Sequence, residues 1–89
     1  MTSTPIACDL HDYIEIACAF RYPVLVTLVS GEKMNGIATN ILMKPDKIEC
    51  LVLRETISKE TIEIPLNNLV QMQSLVKNPH FEIVDFRPQ

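Results

Sequence analysis

The sequence predicts a mainly β fold opened by one helix: a five- to six-stranded antiparallel barrel, capped by the N-terminal α-helix, in a single domain over 1–89. Three observations carry this. Apolar residues recur at helical spacing between Leu10 and Phe20. Beyond Pro23 the pattern changes to short β-branched runs separated by turn residues. The longest of these runs contains Gly36, and a missing side chain inside a strand marks the bend or bulge that lets a small sheet curl.

Residues 1–7 read as an extended arm, because Thr, Ser and Pro5 give no periodic apolar signal. Asp9 reads as an N-cap with Asp12 three residues on, an acidic variant of the capping box, and both acids complement the positive end of the helix dipole. The helix is expected over 9–21. Leu10, Ile14, Ala17, Cys18 and Phe20 or Arg21 supply its apolar stripe, and Asp12 and Glu15 lie toward the other face. Pro23 is expected to end it, since the residue before a proline is pushed out of the helical region.

The barrel is expected over 23–86, with strands at 24–29, 33–42, 48–55, 61–64 and 70–76 and an edge strand at 81–86. Ser30-Gly31-Glu32, Lys44-Pro45-Asp46 and Ser58-Lys59-Glu60 supply the turns, and Pro65-Leu66-Asn67-Asn68 a helical corner. A helix followed by short antiparallel strands buries its apolar faces most simply as a closed barrel with the helix across it.

Composition supports a packed fold. The 89 residues are 47% hydrophobic and 21% charged, too apolar for a disordered chain. A net charge of −3 and a pI near 5.2 argue against a general nucleic-acid binder, which takes most of its affinity from Lys and Arg on phosphates. No run approaches the about 18 apolar residues of a membrane span, and the N-terminus lacks a secretory pattern, so a cytoplasmic protein is expected. Cys8, Cys18 and Cys50 are odd in number and have no C-x-x-C spacing. They read as small reduced core residues, not as a disulfide framework or a zinc site.

The inventory for catalysis is thin, and an enzyme is not expected. His11 reads as a solvated helix residue and His80 as a loop residue; neither is paired by spacing with a nucleophile. With two glycines and no phosphate-loop or metal motif, no cofactor and no metal are expected. The candidate partner-binding residues are on the helix. Asp12 and Glu15, spaced i, i+3, share a side and suit Arg or Lys of a partner. Asp9 serves either as cap or contact. Tyr13 is either a core residue with its hydroxyl at the rim or an interface anchor.

The run P-I-x-C-D-x-x-D-x-x-E-x-A-C, here Pro5, Ile6, Cys8, Asp9, Asp12, Glu15, Ala17 and Cys18, resembles the Rof family, also called YaeO, of Rho-specific inhibitors of transcription termination. The similarity continues through Gly31-Glu32-Lys33, Ala38, Glu49, Leu51 and the 64–69 segment, and so spans about 5–86. The resemblance implies an Sm-like barrel preceded by a helix. It also implies a protein that binds the termination factor Rho at the RNA-binding surface of its N-terminal domain and keeps Rho off transcripts. The chain is expected to act as a monomer and, from its charge and hydropathy, to touch neither nucleic acid nor membrane itself. Carried over position by position, the motif acids are Asp9, Asp12 and Glu15; Tyr13 is added from this sequence alone. The chain departs from the family at Asn40 and Asn67, where the family often has aspartate, and at His11, where it often has an aromatic.

The competing reading is an Sm-like RNA-binding oligomer, because Ser30-Gly31-Glu32-Lys33-Met34-Asn35-Gly36 looks like the first hairpin of such proteins. That reading requires basic, base-stacking loops. The acidic balance, the absence of Trp and the lack of an Arg-Gly pair in the later strands oppose it.

Overall fold

A computed structural model describes residues 8–86. The elements run α1 (Cys8–Ala19), β1 (Pro23–Leu28), β2 (Lys33–Met43), β3 (Glu49–Arg54), β4 (Thr61–Pro65), a 3-10 turn (Leu66–Asn68), β5 (Leu69–Ser74) and β6 (Ile83–Asp85). The fold is mainly β with an N-terminal helix. The expected arm over 1–7 lies outside the described residues.

The ends of α1 differ from the expectation. Helical structure already includes Cys8, so Asp9 falls in the first turn; a cap must precede the first helical residue. An acid in the first turn still complements the dipole. At the other end the helix stops well before Pro23. The Tyr22 N–H donates to the Ala17 carbonyl at 2.9 Å and the Arg21 N–H to the Cys18 carbonyl at 3.2 Å, the paired bonds of a Schellman stop, with Arg21 at φ 54. Glycine is the usual residue at that position, and a side chain in the left-handed region costs about 1 kcal/mol.

The strands form one antiparallel sheet in the order β4-β3-β2-β1-β5-β6. Sequential hairpins build the β1–β4 half. The β1–β2 connection closes with Gly31 at φ 92, its N–H donating to the Leu28 carbonyl while the Leu28 N–H donates to Glu32, both at 2.8 Å. The β2–β3 connection repeats this geometry with Lys47, at φ 68, in the left-handed position. The Lys47 N–H donates to Lys44 and the Lys44 N–H to Ile48. After the 3-10 turn the chain crosses to the far side of β1, where β5 pairs with it.

The sheet is not closed into a barrel by a continuous ladder. Its edges are β4 and β6, and no pairing joins them among the described residues. The edge of β5 that a closing strand would use is taken by β6, through Gln71↔Asp85, Met72↔Val84 and Gln73↔Ile83. The segment expected as an edge strand thus has that role, shortened to three residues.

Curvature enters β2 away from the expected place. The β2–β3 register shifts between Ala38 and Asn40, a bulge near Thr39 that the sequence pattern suggested at Gly36. Gly36 instead permits a close approach of two strands. A Cβ there would stand 2.9 Å from the Arg54 carbonyl oxygen and 3.3 Å from the Leu53 Cβ, and the bare backbone lets the end of β3 pass.

The core is the face of this sheet that lies under α1. Ile14 and Ala17 of the helix are fully buried with Val24, Val26, Ala38, Leu51, Leu53 and Met72. On β1 and β5 the buried residues largely alternate with half-exposed ones, as one covered face requires. Burying Ile14 alone is worth about 1.5–3 kcal/mol. Packing of α1 against the sheet fixes which helix residues face outward.

Candidate functional site: the outward side of the N-terminal helix

With Ile14 and Ala17 held inward, the helical period turns Asp12 and Glu15 outward, and both are exposed. Asp9 belongs to the same helix, with its side chain outside the described residues. Tyr13 lies on one flank. It is half-buried against the core, and its ring meets Phe81 edge-on at 5.8 Å between centroids, so it lines the side of the acidic face and does not crown it.

The other flank carries His11, which is not the solvated residue expected. Its side chain is only 24% exposed, with Nδ1 3.4 Å from Glu15 Oε2 and Nε2 3.5 Å from Glu49 Oε1. Each contact is an ion pair only when the ring is protonated. The arrangement brings Glu49, at the start of β3, onto the same side as Glu15, and the acidic surface therefore extends from helix to sheet. The His11–Glu15 spacing is visible in the sequence; the pairing with Glu49 depends on how α1 sits on the strands.

Toward its C-terminal end the face changes. Glu15, Cys18, Ala19, Arg21, Thr39, Asn40 and Ile41 line a shallow groove between α1 and the bulged part of β2. Arg21, the first Lys or Arg of the chain, stands at the negative end of the helix dipole. Burial pushes the Cys18 thiol up to about 11, with Arg21 opposing and Glu15 reinforcing the shift. This is the reverse of an activated nucleophile. Cys18 is half-buried and Cys50 buried, both free thiols. Asn40 and Asn67 are exposed.

A further cluster carries no signal in the local sequence. Phe20, just past α1, and Tyr22 stack at 5.5 Å with planes 17° apart, and His80, far along the chain, stacks on Phe20 at 5.2 Å and 22°. These rings come together only because the 75–82 loop returns beside the end of α1. No residue spacing announces such a contact.

A sequence profile described as modulator of Rho-dependent transcription termination (ROF) matches residues 5–86. Among solved structures, that of YaeO bound to magnesium from Vibrio cholerae O395 is 38% identical, covers 85% of this chain and 96% of that chain, and superposes with a TM-score of 0.79. No curated protein sequence gives a significant match. Among the described residues of this chain no group of three or more His, Cys, Asp or Glu side chains is placed to hold a metal ion, and no helix is long and apolar enough to cross a membrane. The profile match spans nearly the whole chain and the fold agrees over most of it, so the chain belongs to the Rof family of modulators of Rho-dependent transcription termination.

Proposed function

We propose that this protein inhibits Rho-dependent termination in the cytoplasm, as a single-domain monomer, by binding the N-terminal domain of Rho and covering its primary RNA-binding site. Membership of the family implies Rho as the partner. The observation that carries the finer reading is the outward face of α1, where Asp12 and Glu15 are exposed within one turn and no Lys or Arg precedes Arg21.

A site for single-stranded RNA tracks the phosphate backbone with positive charge. A rigid helix presenting carboxylates meets the same potential without the cost of ordering a flexible strand. Asp12 and Glu15 then pair with Arg or Lys of the groove through charge-assisted hydrogen bonds. Asp9 adds charge in the first turn, Glu49 continues the negative surface onto β3, and Tyr13 packs beside it. Asn40 and Asn67 contribute no charge, so the strand side depends on Glu49. The mechanism is competition for a surface, and it assigns no catalytic step.

The test is a competition: Rho loaded with labelled C-rich RNA, titrated with this protein. Displacement of the RNA is expected, with an affinity that falls as salt rises. Failure to displace it, together with salt-sensitive binding of the RNA by this protein itself, would overturn the reading in favour of an Sm-like RNA binder.

A further inference from the structure

The outward ridge of α1 does not end in charge. Asp12, Ile16 and Phe20 stand at i, i+4 and i+8, and so lie in one row. The Phe20 N–H still donates to the Ile16 carbonyl at 3.1 Å, which keeps Phe20 in helical register. Phe20 is nonetheless 57% exposed, and the core does not enclose it.

That exposed ring is held in place. It lies nearly parallel to Tyr22 and to His80, and Tyr22 and His80 are themselves 6.4 Å apart, so the three rings form a compact platform. The loop carrying His80 is tied at its base. The His80 and Phe81 N–H groups donate to Asn78 Oδ1 at 2.8 and 3.1 Å, and Asn78 Nδ2 donates to Ser74 Oγ at 2.9 Å. Leu75 and Val76, both exposed, line a recess with His80 and widen the apolar area. Preorganised aromatic surface beside a charged rim has the composition of a binding hot spot.

We propose that the Phe20–Tyr22–His80 platform is the second half of the Rho-binding surface, packing on the aromatic base-stacking faces that a single-stranded RNA site carries while Asp12 and Glu15 occupy the basic groove beside them. This rests on the reading given above that α1 binds the RNA site. A single-stranded RNA site has two components, positive charge along the backbone and aromatic faces for the bases. An acidic helix alone complements the first. The platform, about 12 Å along the ridge from Asp12 at 1.5 Å per residue, supplies the apolar, flat counterpart for the second.

The experiment titrates Rho hexamer, without RNA, with wild type, Phe20→Ala, Phe20→Trp, His80→Ala and the Asp12→Lys/Glu15→Lys double variant, with folding checked by thermal melting. Phe20→Ala and His80→Ala should each weaken binding about tenfold or more, as loss of a hot-spot residue does, and Phe20→Trp should stay within about threefold because a stacking face remains. Wild-type binding by Phe20→Ala and His80→Ala, with the charge reversal still damaging, overturns the platform alone. Wild-type binding by all variants overturns the α1 reading as well. A wild-type dimer in sedimentation that Phe20→Ala dissociates would give the platform to a second copy of the chain and overturn the proposal.

Discussion

The two faces of α1 share the same twelve residues and are governed by different rules. Inward, Ile14 and Ala17 are completely buried and answer to packing: any change of volume there is felt by the sheet. Outward, Asp12 and Glu15 are exposed; Glu15 touches the fold through His11 at 3.4 Å, an ion pair only when that ring is protonated, and neither carboxylate is buried in the core. With the outward face proposed as the Rho-binding surface, the difference would separate stability from recognition along a single helix. Inward substitutions should act on folding, outward ones on binding.

The sharpest way to break this division is from the inside. Ile14→Ala should destabilise the protein by about 3 kcal/mol, within the range for an aliphatic residue truncated in a core, measured by chemical denaturation. Affinity for Rho, corrected for the folded fraction, should change little. A folded Ile14→Ala variant with badly reduced affinity would mean that packing and recognition are coupled through a movable helix.

The next comparison lies in the sheet, far from the proposed interface in the chain. Gly36→Ala should cost about 1–3 kcal/mol, because the added Cβ meets the Arg54 backbone at 2.9 Å and the strands must part. Denaturant midpoints would show it. A neutral result would mean that the end of β3 gives way easily and that Gly36 is not what sets the close approach.

The smallest effect belongs to the helix stop. Arg21→Gly should stabilise by up to about 1 kcal/mol, since glycine adopts the left-handed conformation without the side-chain penalty, partly offset by greater freedom in the unfolded chain. Loss of the charge at the helix C-terminus acts against the gain. A melting temperature clearly below wild type would give Arg21 a larger electrostatic part in holding α1 than its φ suggests.

Much of this architecture is legible locally. The apolar spacing of Ile14, Ala17 and Cys18 marks a helix whatever surrounds it, and the alternation in Thr61-Ile62-Glu63-Ile64 marks a strand. Gly31 in its turn is equally plain, because the left-handed conformation it adopts strongly favours glycine. What escapes a local reading depends on contacts between distant segments. Arg21 ends the helix through backbone bonds that its own residue type does not advertise, which is why Pro23 suggests a boundary two residues too late. Among the described residues β6, and not β4, pairs with the outer edge of β5, a choice of partner that strand propensity does not encode. In the site, the acids of the helix are visible as a charge pattern. Glu49 joins them only through His11, and the Phe20–His80 stack needs the return of a loop separated from α1 by the entire β1–β5 sheet.

The outward carboxylates of α1 are proposed to bind Rho and to be dispensable for the fold. The most direct measurement is the dissociation constant of the Asp12→Lys/Glu15→Lys variant for Rho, taken beside its melting curve. If both acids form desolvated charge pairs, the reversal should cost a few kcal/mol of binding, about a hundredfold in affinity, with the melting temperature near that of wild type. A variant that melts like wild type and binds like wild type would contradict the account and place the Rho-binding surface elsewhere on the molecule.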